Sequence, residues 1–266
     1  MKSSAAAPTR WELYGLSASH VTEMPAGSCL DGVKLHPEVI EAFARLRADA
    51  AGAGFDLRVA SGFRSFERQL VIWNDKARGL RPVLDAREQP IDITSLALCE
   101  RVFAILRWTA LPGISRHHWG TDADVFDAGA VHPEHSLRLT VSECDEGGPF
   151  APLHRWLDAR IASHRAYGFF RPYIGRGSGT QIAAEPWHLS YAPLAAVCQA
   201  SFDSGGLNEI FRESGMELRE LVESNREEIL RLHFFVSADV YPLPWARVVA
   251  RTASSASQSV EVASGI

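Results

Sequence analysis

The sequence predicts an α+β fold in one domain, and three observations carry that reading. Helical and strand periodicities alternate irregularly, no glycine-rich phosphate loop occurs, and no stretch keeps a βαβ rhythm. With 266 residues, 46% of them hydrophobic, the chain needs neither disulfide nor metal merely to fold.

The elements follow in order. Residues 1–9 are small and polar and are expected to be loose. A first helix is predicted over Pro37–Ala53, where Val39, Ile40, Phe43 and Leu46 recur at helical spacing, Pro37 suits the first turn and Gly54 ends the run. Phe55, Leu57 and Val59 then alternate as a strand does. Ser65 caps a second helix that Gly79 stops, and residues 95–108 form a third that ends near Pro112 and Gly113. The carboxylate-rich segment GTDADVFDAG sets Asp122, Asp124 and Phe126 on one face if it is extended. A fourth helix is predicted from about Phe150 to Ala166, a strand over AAEPWHLSY, and further helices broken near Gly215 and Ser224. The last dozen residues are small and polar, and disorder is expected there.

Charge and composition exclude several functions. The 27 basic and 32 acidic side chains give a net charge of −5 spread along the sequence, which argues against nucleic acid as a partner, since such a binder normally shows a basic face. The same balance offers no polybasic attraction to anionic lipid. No stretch approaches the roughly 20 apolar residues of a membrane span. The N-terminus shows no apolar core of a signal peptide, so the expected location is the cytoplasm, or the periplasm or cell envelope if a leader was removed. Cys29, Cys99, Cys144 and Cys198 stand far apart with no C-x-x-C pair, so they make no cysteine zinc knuckle. They are four buried thiols or two disulfides, and the size of the chain favours thiols.

Four clusters hold chemistry-bearing residues: SGFRS at 61–65 with Gln69, PGISRHHWGTDADVFD at 112–127, GFFRPY at 168–173 and EPWHLSY at 185–191. Two neutral imidazoles and a carboxylate make a three-ligand set for zinc that leaves one position open for water. Zinc so held lowers the pKa of that water to roughly 7, and a nearby carboxylate can take its proton. Each cluster alone also has a plain structural explanation. SGFRS reads as a turn into a helix cap with Arg64 in a surface ion pair, and EPWHLSY as a strand with a buried tryptophan. Glu185 and His188 have helix-face spacing, but Pro186 disfavours a helix, so both reach one metal only if the chain bends there.

Taken in order, these residues resemble the zinc D-alanyl-D-alanine carboxypeptidases and dipeptidases of the VanY and VanX type. The pattern there is S-G-[FY]-R-S-x3-Q, then S-x-H-x6-D, then E-x-[WY]-H. Here stand Ser61-Gly62-Phe63-Arg64-Ser65 with Gln69, then Ser115, His117 and Asp124, then Glu185-Pro186-Trp187-His188. The resemblance spans residues 55–191. It implies a single zinc-peptidase domain with a small, mostly antiparallel sheet flanked by helices, plus a helical C-terminal extension. It implies one zinc ion on His117, Asp124 and His188, with Glu185 as catalytic base and Arg64 polarising the scissile carbonyl. Ser115, Gln69 and Trp187 are the expected substrate-binding residues, and the partner is a small peptide or muropeptide.

The expected division is an N-terminal segment over 1–20, the peptidase domain over 21–200, the helical extension over 201–240 and a tail over 241–266. Apolar residues such as Phe211, Val222 and Ile229 suit packing of the extension on the domain. His118 is expected beside the site rather than on the metal, Asp122 either behind it or solvated, and Trp73, Trp108, Trp119 and Trp156 in the core, Trp119 alternatively in the pocket. The expected activity is removal of a C-terminal D-alanine. Alternatives are L,D-carboxypeptidase or endopeptidase action, and a non-catalytic zinc module, since Hedgehog-type signalling domains resemble this fold.

Overall fold

A computed structural model describes residues 7–132, 134, 136–175 and 177–250. Its strands are β1 (Thr22–Glu23), β2 (Lys34–Leu35), β3 (Leu57–Ser61), β4 (Val83–Leu84), β5 (Pro90–Ile91), β6 (Asp122–Asp127), β7 (Phe169–Phe170) and β8 (His188–Tyr191). Its helices are α1 (Arg10–Leu13), α2 (Pro37–Gly52), α3 (Phe66–Ala77), α4 (Leu98–Leu106), α5 (Val141–Cys144), α6 (Ala151–Ala162), α7 (Ala192–Ala200), α8 (Leu207–Ser214), α9 (Arg219–Ser224) and α10 (Arg226–His233). The central sheet is antiparallel, in the order β3-β6-β8-β7, and helices flank it. The mixed class and small antiparallel sheet expected from the sequence are therefore present.

The sheet separates an apolar layer from the polar one that matters for function. On one face, Leu57, Val59, Ala123, Val125 and Leu189 pack against Val39, Phe43 and Leu46 of α2 and Leu153 and Leu157 of α6. Each large side chain fully buried there stabilises the fold by about 1.5–3 kcal/mol. Strand alternation then points Asp122, Asp124, His188 and Ser190 to the opposite face. The register places Asp124 across from His188 and Asp122 across from Ser190, so four polar residues gather at one strand pair.

A second core joins α3, α4 and α7 to the helices that follow α7. Trp73 and Ile105 lie in one buried cluster with Phe211, Val222, Ile229 and Phe234. The Trp73 indole donates to the Glu217 carbonyl at 2.9 Å, and Asn74 accepts from the Glu217 amide at 2.9 Å. The C-terminal helices therefore share a core with the residues that precede them.

Several elements depart from the periodicity-based expectation. The third helix is shorter than 95–108, because Asp92 caps a separate 3-10 turn over Ile93–Ser95 before α4 begins. The fourth stops at Ala162 rather than Ala166, where His164 adopts a left-handed φ of 57°. The AAEPWHLSY strand contracts to β8, because residues 185–188 form a turn closed by the His188 amide on the Glu185 carbonyl. Helix α7 was not expected: its alanine-rich sequence is buried on several sides and carries no amphipathic period. All four cysteines are free thiols, and Cys99 is exposed near the start of α4 rather than buried. The expected C-terminal disorder falls outside the described residues.

Replacing Phe211, which is 1% exposed, with Ala is expected to destabilise the protein by about 3–5 kcal/mol in urea titrations. A loss below about 1 kcal/mol would mean that the extension adds little to the common core.

Candidate active site

The site forms where a tight turn feeds β6 and a bend feeds β8. Residues Arg116–Trp119 make a 3-10 turn, ended by Gly120 in the left-handed region at φ 65°. A side chain at Gly120 would strike Val21, so the close approach also calls for glycine. This turn lifts His117 beside Asp124, with Nε2 at 3.5 Å from Asp124 Oδ2. The bend at Pro186 brings Glu185 and His188 together, with Glu185 Oε2 at 3.2 Å from His188 Nδ1. His188 Nδ1 lies 3.3 Å from Asp124 Oδ1.

Both imidazoles are oriented from behind. His117 donates from Nδ1 to the Gly62 carbonyl at 2.7 Å, which leaves Nε2 as a lone pair facing Asp124. A Cβ on Gly62 would come within 2.5 Å of the Lys34 carbonyl, so only glycine lets β2 approach there. His188 donates from Nε2 to Asp122 Oδ1 at 2.9 Å and turns Nδ1 inward. Asp122 is fully buried and is also bound by Arg116 Nε at 2.9 Å, by the Ser190 hydroxyl at 3.1 Å and by the Thr121 hydroxyl. Arg116 in turn donates to Ser190 at 2.6 Å, to Tyr241 at 3.0 Å and to Gln199 at 3.3 Å.

The electrostatics describe a cation site. Burial alone would raise the Asp124 pKa, but His117 and His188 hold its carboxyl well below the usual range. Burial likewise opposes charge on Asp122, and Arg116 and His188 overcome it. His188 is pushed the other way: burial would lower its pKa, yet Asp122, Asp124 and Glu185 hold it well above the usual imidazole range. The ligand-type atoms of His117, Asp124 and His188 lie within 4.8 Å of one another. Buried Asp124 Oδ1 has no hydrogen-bond partner among the described residues. An orphaned carboxylate oxygen facing two ring nitrogens suits a divalent N/O-ligated metal, whose charge would take the place of the proton that the surrounding carboxylates hold on His188.

The surrounding cleft has a volume of about 360 Å³, and Arg64, Ser115, Tyr173, Glu185 and Trp187 are among its walls. Arg64 donates to Gln69 Oε1 at 2.8 Å and to the Ser61 hydroxyl at 3.3 Å. Gln69 is fully buried and spends its amide on the Ala110 carbonyl at 2.6 Å, so it stands behind Arg64 rather than on the cleft wall. Ser115 and Trp187 do line the cleft, and Trp187 stacks on Trp108 with centroids 6.3 Å apart. His118 is buried outside the cleft: it donates to the Arg64 carbonyl at 2.6 Å and accepts from the Gly113 amide at 3.0 Å. Burial pushes its pKa down to about 3, so it is a neutral brace for Arg64.

Other residues enter the site without having been assigned to it. Asp122 lies behind His188, which strand alternation with Asp124 already hinted, whereas no local signal marked Arg116 or Tyr241. Trp108 is a cleft wall rather than pure core, and Trp119 is buried away from the cleft, 5.8 Å from Phe234. Tyr173, from the GFFRPY cluster, sets its ring edge on His188 at 5.0 Å. Lys76 and Arg81 also line the cleft. Burial and Arg81 push the Lys76 ammonium down to about 8, against a pull from Glu185.

Comparison with known proteins points to the segment of the chain that carries these residues. The family model described as VanY, D-alanyl-D-alanine carboxypeptidase, matches residues 32–194. A stretch of 115 residues, 43% of this chain and 86% of the relative, is 31% identical to an uncharacterised protein of Haemophilus influenzae. Over 165 residues, 62% of this chain and 49% of the relative, it is 28% identical to a D-alanyl-D-alanine carboxypeptidase of Enterococcus faecalis. Among solved structures, the vancomycin-resistance D,D-pentapeptidase VanY from a VanB-type cassette, a mutant in complex with Zn(II), is similar at 23% identity and a TM-score of 0.45. That match covers 79% of this chain and 99% of the other. The LdcB LD-carboxypeptidase is similar at 18% identity and a TM-score of 0.43, covering 80% and 82%.

Removing the arginine that neutralises Asp122 tests this arrangement. Arg116→Met leaves a buried carboxylate without its cation and is expected to cost about 3–5 kcal/mol in urea unfolding. A change below about 1 kcal/mol would contradict the assigned pairing.

Proposed function

Because the chain belongs to the VanY family of D-alanyl-D-alanine carboxypeptidases, we propose that it is a zinc-dependent hydrolase that removes a C-terminal D-alanine from peptidoglycan-type peptides. The observation that carries this reading is the convergence of His117 Nε2, the Asp124 carboxylate and His188 Nδ1 beside the Glu185 carboxylate. His117, Asp124 and His188 would hold one zinc ion, which supplies Lewis acidity and lowers the pKa of bound water to about 7. The relatives crystallised with Zn(II) and with D-alanine-D-alanine support the choice of metal and substrate class.

The chain's own side chains account for the remaining steps. Glu185 is the general base: its carboxylate takes a proton from the attacking water and returns it to the departing amine, an effect worth about 10²–10⁴-fold. Arg64, held by Gln69 and Ser61, presents a fixed charge to the carbonyl oxygen as negative charge develops there. Gln69 thus acts on substrate through Arg64, while Ser115 and Trp187 contact the peptide in the cleft. Trp108 and Trp187 together exclude water from one wall. Residues 21–200 carry this chemistry, with 201–240 as the extension and Tyr241, just beyond it, bracing Arg116 from behind.

Glu185→Gln is expected to lower hydrolysis of a D-Ala-D-Ala-terminated peptide at least 100-fold while one zinc per chain stays bound. Wild-type rates in that variant would overturn the mechanism. Mass spectrometry of digested muropeptides should show loss of a single terminal D-alanine, and an internal cut would instead support the endopeptidase alternative. Asp122→Asn is expected to weaken zinc binding 10–100-fold in a competitive chelator titration, and an unchanged affinity would remove Asp122 from the metal site.

A further inference from the structure

A second groove lies across the sheet from the metal site, where the C-terminal ends of α2 and α6 meet. Its volume is about 560 Å³, within the range of ligand sites, and Asp49, Trp156, Arg160, His164, Arg165 and Tyr167 line it. Helices α2 and α6 pack on the apolar face of the sheet, so a molecule bound here does not touch the scissile bond. The Arg160 guanidinium lies 5.5 Å from the centre of the Trp156 ring and pairs with Asp49 Oδ2. The Tyr167 hydroxyl donates to the same oxygen at 2.9 Å, so one carboxylate ties α2 to α6 and to the loop before β7. Asp49 Oδ1 and the side chains of His164 and Arg165 have no hydrogen-bond or ion-pair partner among the described residues.

The turn that presents these groups is costly. His164 and Tyr167 both take a left-handed φ, 57° and 53°, where glycine is the usual residue. His164 follows the cap of α6, and the Arg165 amide closes on the Arg160 carbonyl at 2.8 Å, an arrangement that glycine normally completes. Tyr167 is bulky and 38% exposed, so burial does not account for it. Strained residues with exposed side chains point to a use for the side chain rather than for the backbone.

Resting on the peptidoglycan reading above, we infer that this groove binds the sugar chain of the polymer while the cleft across the sheet takes a peptide. Tyr167 offers an exposed flat ring to the C–H face of a pyranose. Sugar hydroxyls both donate and accept, and Asp49 Oδ1 beside the Arg160 guanidinium sets an acceptor next to donors. Arg165 and His164 supply further donors for the carbonyl oxygens of N-acetyl groups. One unpaired arginine is too little positive charge for a phosphate-linked polyanion. The lining holds no aliphatic side chain larger than alanine, which argues against a lipid tail. Binding here holds the enzyme on the polymer and raises the local concentration of its peptides at the cleft.

The test separates the groove from the cleft. The zinc-loaded full chain is titrated by calorimetry with peptide-free glycan strands of alternating N-acetylated amino sugars. Saturable binding is expected, unchanged by an excess of D-Ala-D-Ala dipeptide. Tyr167→Ala and Arg165→Ala are each expected to weaken it roughly tenfold, and Tyr167→Phe, which keeps the ring, to bind within about twofold of wild type. Both alanine variants are expected to hydrolyse a short D-Ala-D-Ala-terminated peptide at the wild-type rate, which also reports their folding, but to release D-alanine more slowly from isolated peptidoglycan. No saturable binding, displacement of the glycan by the dipeptide, wild-type affinity in both alanine variants, or tighter binding of a phosphate-linked polymer would overturn the inference. Tyr167-dependent glycan binding by a wild-type protein that hydrolyses no peptide would sink the peptidase reading and leave the sugar site standing.

Discussion

The buried carboxylate of Asp122 is the constraint on which the rest of the site depends. It is removed from water entirely, so its charge is tolerable only with Arg116 and the His188 N–H beside it. Such a pair is costly to desolvate and contributes little net stability compared with apolar packing. Its value lies in orientation. By holding His188 at Nε2, Asp122 fixes which nitrogen faces the cleft and increases its basicity as a ligand.

Arg116 extends that constraint outward. Its guanidinium joins β8 through Ser190, α7 through Gln199 and the C-terminal segment through Tyr241. The segment beyond Tyr191 therefore does more than cover apolar surface, because Tyr241 supplies one of the partners that hold Arg116 in place. On the other side, the Gly62 carbonyl sets His117 and the neutral His118 steadies the Arg64 backbone. His117, His188 and Arg64 are thus each held by a partner on the far side. Tight positioning of that kind is what efficient polar catalysis demands.

Much of this was legible in the sequence, for physical reasons. Zinc ligands and a general base need particular residue types in a chain order that the fold maintains, so His117, Asp124, Glu185 and His188 stood out together. Helix α2 was legible because Val39, Phe43 and Leu46 repeat at 3.6 residues. Helix α7 was not, since burial on several sides erases the period. Arg116 and Tyr241 were invisible because 125 residues separate them, and no local pattern reports a contact that tertiary packing creates. Gln69 was recognised as relevant, but its position behind Arg64 follows from its bond to Ala110 in the turn after α4.

The central claim is that His117 Nε2, Asp124 and His188 Nδ1 form one zinc site whose geometry Asp122 sets. The most direct measurement is an anomalous-difference map recorded at the zinc edge from crystals of the zinc-loaded protein. The account predicts one strong peak between those three groups, with His188 Nε2 still bonded to Asp122. A peak elsewhere, or zinc held through His188 Nε2 with Asp122 displaced, would contradict it.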